Sequence, residues 1–237
     1  MNDYRPDITG LRAIAILTVL VFHIFPNSLP GGYLGVDMFF VISGYIITCT
    51  LLKEYNKNNK ISLIAFYKRR IFRIAPAIAI TIFITIILSN VFMGSDDSVK
   101  VAKSATFATL GFANFYFFKY LDTSYFAQDS ALVPLLHLWS LGLEEQFYLV
   151  FPVLLVILIK FKRLLTFFLI FLAIFSLTYA SLIVKNSPTF AYYMLPTRAF
   201  ALLIGSLAAL YCQSAFSKNN KLSNRKIGNI LSFFSSL

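Results

Sequence analysis

Two basic side chains, Arg12 and His23, lie eleven residues apart in LRAIAILTVLVFHI, a stretch that is otherwise almost wholly apolar. That distance is three helical turns, so both share one face, about 16 Å apart along the axis. Charge placed where lipid should be is costly and points first to function. The plainer alternative is that each side chain snorkels to its own interface. The next apolar stretch opens GGYLGVDMFFVISGY. Its Asp37, level with His23, could orient an imidazole and stabilise the protonated form, the usual job of the third group in an acid–base relay. It could equally be an acid balancing a helix N-terminus.

Further along, FYKRRIFRIAP places Arg70 and Arg73 at i and i+3 on one helix face. Paired guanidinium groups suit phosphates, while simple anchoring at a basic membrane face is the alternative. The stretch LLHLWSLGLEEQFYLVFP is the richest. His137, Trp139 and Ser140 open it, and Ser140, Glu144 and Tyr148 form an i, i+4, i+8 polar stripe. Glu144 and Glu145 are adjacent, so a helix sends them to different faces and both cannot reach water easily. At least one is therefore expected to have a role. Trp139 also fits an interfacial aromatic belt. Arg198, in LPTRAF, could counter a carboxylate such as Glu144, hold an anionic group, or anchor the interface.

The elements that carry these residues follow from composition. The chain has 237 residues, 58% of them hydrophobic and 13% charged, against about half apolar and a quarter charged in a soluble domain. Apolar blocks of roughly 18 to 22 residues match the thickness of a hydrocarbon core. The expected fold is an all-α, multi-pass transmembrane helix bundle, with spans near 9–26, 33–52, 71–93, 138–159, 164–184 and 196–213 and a seventh starting at 227. Residues 1–237 are expected to form the N-terminal part of one membrane domain, incomplete at the C-terminus, with no soluble domain. The first apolar run lacks a small-residue cleavage site and reads as a retained span.

The net charge of +11, from 21 basic and 10 acidic residues, would suggest nucleic acid in a soluble domain. Here the basic residues sit in short loops, so topology explains them and no nucleic-acid partner is expected. Lys53, Lys57, Lys60, Lys68, Arg69 and Arg70 follow the second span, while NSLPGG before it carries no charge. The N-terminus is therefore expected in the cytoplasm, with NSLPGG outside. Segment 101–119 has an apolar stretch of about 15 residues, short for a crossing. As a re-entrant or interfacial segment it keeps the clusters Lys160–Arg163 and Lys218–Lys226 inside. This topology groups His23, Asp37, His137, Glu144 and Arg198 at the outer side, and Arg12, Arg70 and Arg73 at the inner side. Cys49 and Cys212 show no metal or redox spacing, and no metal site is expected.

In order, Arg12-x10-His23, YLGVDMFFVISGYIIT, FYKRRIFRIAPA, HLWSLGLEEQFYLVFP and LPTRAFALLIGSLAAL resemble the membrane-bound acyltransferase family 3, the O-acetyltransferases of bacterial surface polysaccharides. The resemblance covers essentially the whole chain. It implies a multi-pass enzyme of the bacterial cytoplasmic membrane that moves an acetyl group from cytoplasmic acetyl-CoA, a substrate and not a bound cofactor, to a hydroxyl of a cell-envelope glycan. It implies a catalytic His23, a matching acid at Glu144, and Arg12, Arg70 and Arg73 on the acyl donor; from the residues themselves, Asp37 or Glu144 would orient the imidazole. His137, Ser140, Glu145, Tyr148 and Arg198 are the candidates for acceptor or oxyanion contacts.

Two departures stand out. The family commonly has an aromatic–Glu pair after the last of these arginines, where this chain has Phe200-Ala201. The chain also stops within the seventh span, whereas about ten are usual in the family, so it reads as an incomplete membrane domain. Two other readings share the same residues: a proton-coupled transporter or flippase of a lipid-linked or anionic substrate, and an inactive truncated remnant. The lack of internal repeats argues against the transporter.

Overall fold

A computed structural model describes residues 5–120 and 133–213. The expected span from 227 lies outside the described residues, as do the loop charges at 122, 129 and 218–226. The helices are α1 (Pro6–Ile24), α2 (Leu34–Asn58), α3 (Leu63–Phe92), α4 (Ser95–Thr109), α5 (Ala113–Tyr120), α6 (Leu138–Leu158), α7 (Lys162–Ile183), α8 (Pro188–Tyr193) and α9 (195–213). Among the described residues six stretches are long and apolar enough to cross a membrane: α1, α2, α3, α6, α7 and Pro188–Gln213, which holds α8 and α9. The chain is a multi-pass, all-α membrane protein.

Local chemistry sets the helix ends. Pro6 opens α1 with Asp7 in its first turn, where a missing N–H costs nothing and an acid meets the positive end of the dipole. Asn59 closes α2 in the left-handed region at φ 53°. The Ser62 hydroxyl caps α3 by accepting from Ala65 N at 3.3 Å. That cap starts α3 eight residues before the expected position 71, because Lys and Arg are good helix formers outside lipid as well as at its edge. The 30 residues of α3 give about 45 Å, longer than a hydrocarbon core of about 30 Å. Glu54 of α2 pins this corner, accepting from Ser62 N at 2.8 Å and Arg69 Nη2 at 2.9 Å.

Small residues set the helix packing. Gly44 of α2 lies against the backbone of Leu202, and Gly205 of α9 against the backbone of Val41, so a Cβ on either would strike main chain. Ser206 Oγ donates across the same seam to Gly44 O at 3.3 Å. Close backbone approach of this kind is how helices associate where lipid removes the hydrophobic drive. Two turns nearer the start of both helices, Arg198 pairs with Asp37.

Those pairings fix direction. Asp37–Arg198 and Gly44–Ser206 have sequence offsets of 161 and 162, and a nearly constant offset means α2 and α9 run parallel. Phe40–Trp139 and Ser43–Glu144, offset by 99 and 101, make α6 parallel to α2 as well. With α3 and α7 as the return helices, α2, α6 and α9 can all run one way only if 95–120 makes no net crossing.

The segment is instead a hairpin that dips into the bundle. α4 leaves the end of α3, where Ser98 Oγ donates to Ser89 O at 2.9 Å. The chain turns at Gly111, φ 75°, and α5 returns with Tyr116 Oη donating to Lys100 O at 3.1 Å. Gly111 abuts the Glu145 carboxylate, seven residues below Leu138 and so about 10 Å deep. Non-helical backbone at that depth needs protein partners. Gln146 Nε2 supplies one, donating to Gly111 O at 3.1 Å and to Asn114 Oδ1 at 2.8 Å.

In a full-length protein, Gly205→Ala should push α2 and α9 apart and lower the thermal midpoint in detergent, a cost of about 1–3 kcal/mol. Gly10→Ala is the control, since nothing stands within 4 Å of a Cβ there. Equal midpoints for the two variants would remove the close seam.

Candidate functional site

The polar residues form two tiers, the first at an open rim where His23 and His137 are exposed. The tier nearer the α1–α2 turn holds His23, His137, Asp37, Arg198 and Tyr192. Arg198 Nη1 donates to Asp37 Oδ1 at 3.0 Å and Oδ2 at 3.3 Å, and Nε donates to Tyr192 O at 3.3 Å. Its guanidinium carbon sits 4.7 Å from the centre of the Tyr192 ring. With 18% and 23% of the two side chains exposed, the pair is sheltered but reachable. Asp37 is therefore the partner of Arg198, and Glu144 is not.

His23, in the last turn of α1, places Nδ1 2.8 Å from Val19 O. A carbonyl only accepts, so Nδ1 is the donor in this contact. His137, just before α6, lies within electrostatic reach of His23. Desolvation pushes its imidazole below the ordinary value and the neighbouring His23 adds to this, while a hydrogen bond to the Pro134 carbonyl opposes it. Ser140 Oγ turns back to His137 O at 3.2 Å.

The second tier lies deeper and gathers Arg12, Ser43, Arg70, Glu144 and Tyr148 from four helices. Tyr148 Oη donates to Glu144 Oε2 at 2.6 Å, and the Ser43 hydroxyl is a second hydrogen-bond partner of that carboxyl. Arg12 and Arg70 both lie within its electrostatic reach. Arg70 stacks 4.8 Å above the Tyr148 ring and 5.6 Å from the Phe66 ring, and Arg12 lies 5.9 Å from the Phe39 ring. A carboxyl that receives two hydroxyl donors and faces two guanidinium groups is arranged as an acceptor. Two cations against one anion leave the tier with an excess of positive charge.

Glu144 thus belongs with Arg12 and Arg70, not with the outer group expected from its place early in α6. The reason is depth. Glu144 is six residues below Leu138, about 9 Å, while Arg70 rises about 10 Å from the start of α3 and adds a long side chain. Arg73 is exposed and lines an open groove of about 550 Å³ with Ala65, Lys68, Arg69 and Phe72. The two arginines share a helix but face different surroundings.

Glu144 and Glu145 diverge as adjacent helix positions must, Glu145 lying against Gly111. Trp139 is 2% exposed and packs 4.5 Å from Tyr192, 5.5 Å from Tyr193 and 6.1 Å from Phe40. It is a core residue and not part of a lipid-facing belt. Sequence reasoning passed over Ser43, Tyr192 and Asn114, and gave Gln146 no role. For Asn114 and Gln146 a signal existed, since each is an amide inside an apolar stretch and needs a buried partner.

Replacing Asp37 by Asn should leave Arg198 without its countercharge and cost about 1–3 kcal/mol, the partial exposure moderating the loss. Thermal unfolding of the full-length protein measures it. Exchanging the charges, Asp37→Arg with Arg198→Asp, should recover part of the loss, and no recovery would mean the pair is incidental.

Comparison with known proteins accords with this architecture. The chain is 44% identical over 156 residues, 66% of its length, to Putative O-acetyltransferase SAS0844 of Staphylococcus aureus strain MSSA476. It is 36% identical over 210 residues, 87% of its length, to O-acetyltransferase OatA of Staphylococcus aureus strain NCTC 8325. The matches span 25% and 34% of those relatives' own lengths. No solved structure matches the chain. The acyltransferase domain family matches residues 5–236, and with nearly the whole chain covered, the protein belongs to that family.

Proposed function

We propose that this protein transfers an acetyl or other short acyl group from cytoplasmic acyl-CoA to a hydroxyl of a cell-envelope glycan across the bacterial cytoplasmic membrane, with its N-terminus in the cytoplasm. The relatives' names support O-acetylation, and OatA is an O-acetyltransferase by name. The observation that carries the reading is the split into two tiers: a histidine tier at one depth and a cation-rich tier below it, linked by α1 and α2, which contribute to both.

In this reading the donor's phosphates engage Arg73 in its open groove, with Arg70 and Arg12 further in. Excess positive charge in the deeper tier favours an anionic ligand. The pantetheine arm follows the Arg12 face, where about 16 Å separates Arg12 from His23. His23 Nε2 takes the proton of the acceptor hydroxyl as that oxygen attacks the thioester carbonyl. The C–S bond breaks, and the departing thiolate takes the proton from the imidazolium. Acyl transfer through Nε2 itself is the covalent version of the same step. Glu144, held by Tyr148 and Ser43, keeps Arg12 and Arg70 in place. Arg198 and His137 stand on the acceptor side, where a donor to the developing oxyanion is needed.

His23→Ala in the full-length enzyme should abolish glycan acylation at unchanged expression, and retained activity would remove His23 from the mechanism. For the donor, Arg70→Ala with Arg73→Ala should raise the KM for acyl-CoA by about tenfold or more, as expected when charge-assisted phosphate contacts are lost. The pair Lys57→Ala with Lys60→Ala should leave it unchanged, and equal effects would mean that these arginines serve topology alone. Consumption of labelled acyl-CoA, dependent on a glycan acceptor, separates an enzyme from a flippase.

A further inference from the structure

The dipping hairpin is tied to the Arg198–Asp37 pair by two sets of hydrogen bonds that meet on adjacent carbonyls of α8. Gln146 Nε2 of α6 donates to Gly111 O and to Asn114 Oδ1, at 3.1 and 2.8 Å. Asn114, wholly buried, donates from Nδ2 to Tyr193 O at 3.1 Å. The preceding carbonyl, Tyr192 O, accepts from Arg198 Nε at 3.3 Å, and the Tyr192 ring lies under the same guanidinium. Arg198 then reaches Asp37. Hairpin, α8 and the outer ion pair are thereby fixed to one another through two consecutive carbonyls.

We propose that Asn114 and Gln146 are positioning residues for the acceptor side: they seat the hairpin, hold the 192–193 backbone, and so set where the Arg198 guanidinium points. The inference rests on the acyltransferase reading for its kinetic consequence but not for the coupling itself. Three features support it. A buried amide such as Asn114 is costly unless partnered, and here it and the half-buried Gln146 each bridge two elements. Tyr193 is itself wholly buried and clasped by Trp139 and Phe117 at 5.5 and 6.4 Å, so a shift of its carbonyl cannot be absorbed by moving into empty space. Arg198 takes both a backbone and a ring contact from Tyr192, so displacement of that residue changes both at once.

The test uses the full-length protein in nanodiscs, with Asn114→Ala, Gln146→Ala and the double variant. Amide hydrogen exchange across residues 192–198 should speed up in each single variant, and unchanged protection there would overturn the coupling whatever the enzyme does. In kinetics, the KM for the glycan acceptor should rise about tenfold, as small misplacements of a positioning group do, with the KM for acyl-CoA unchanged. The double variant should be no worse than the worse single one, because both act on one chain of contacts. Equal rises for both substrates, or additive effects, would make the amides merely structural. Where Asn114→Ala fails to accumulate, Asn114→Ser, too short to reach Tyr193 O, takes its place. A wild-type protein that turns over no acyl-CoA overturns the proposed function, and the exchange measurement still decides the coupling.

Discussion

The close approach of α2 and α9 governs much of this structure. Because Gly44 and Gly205 carry no Cβ, each lies on the other helix's main chain, and the two helices run parallel in fixed register. That register brings Asp37 and Arg198 together two turns away. Without it, each charge would sit inside the bundle alone, where an unpaired ion is strongly disfavoured. Parallel direction also dictates the path of the chain between them. The return of α3 and α7 satisfies it only if the hairpin at 95–120 enters and leaves on one side.

Much of the fold was legible in the sequence because lipid imposes one demand that composition reveals. Each apolar block of spanning length became a helix, and α6, α7 and α9 begin within two residues of their expected starts. The start of α3 was less legible, since a basic run reads as loop to a hydropathy argument while its Ser62 cap and helix-forming lysines and arginines favour helix. The break at Gly111 and the short α8 were not legible. A glycine in an apolar stretch gives no warning of a left-handed turn, which here depends on Gln146 reaching from another helix.

The site divides along similar lines. Residue types showed which side chains had no place in lipid, and helical periodicity gave the Glu144–Tyr148 contact directly, since i and i+4 meet on one face. Pairing between helices could not be read that way. Asp37 was available to His23 and Arg198 alike by level, and only helix register shows its bond to Arg198. Glu144 was placed by its distance from the start of α6, whereas Arg70 reaches it from the opposite end of another helix. Depth along one element does not determine depth within a bundle of tilted, unequal helices.

The separation of the two tiers is itself set by backbone geometry. α2 supplies Asp37 to one tier and Ser43 to the other, six residues and about 9 Å apart; α6 supplies the rim at His137 and then Glu144. A distance built into a helix does not change with side-chain repacking. Helix spacing on α1 and α2 therefore sets the offset between the two tiers, whereas α8, the hairpin and Arg198 join the outer tier through hydrogen bonds, so their placement depends on the buried amide contacts and not on a shared helix.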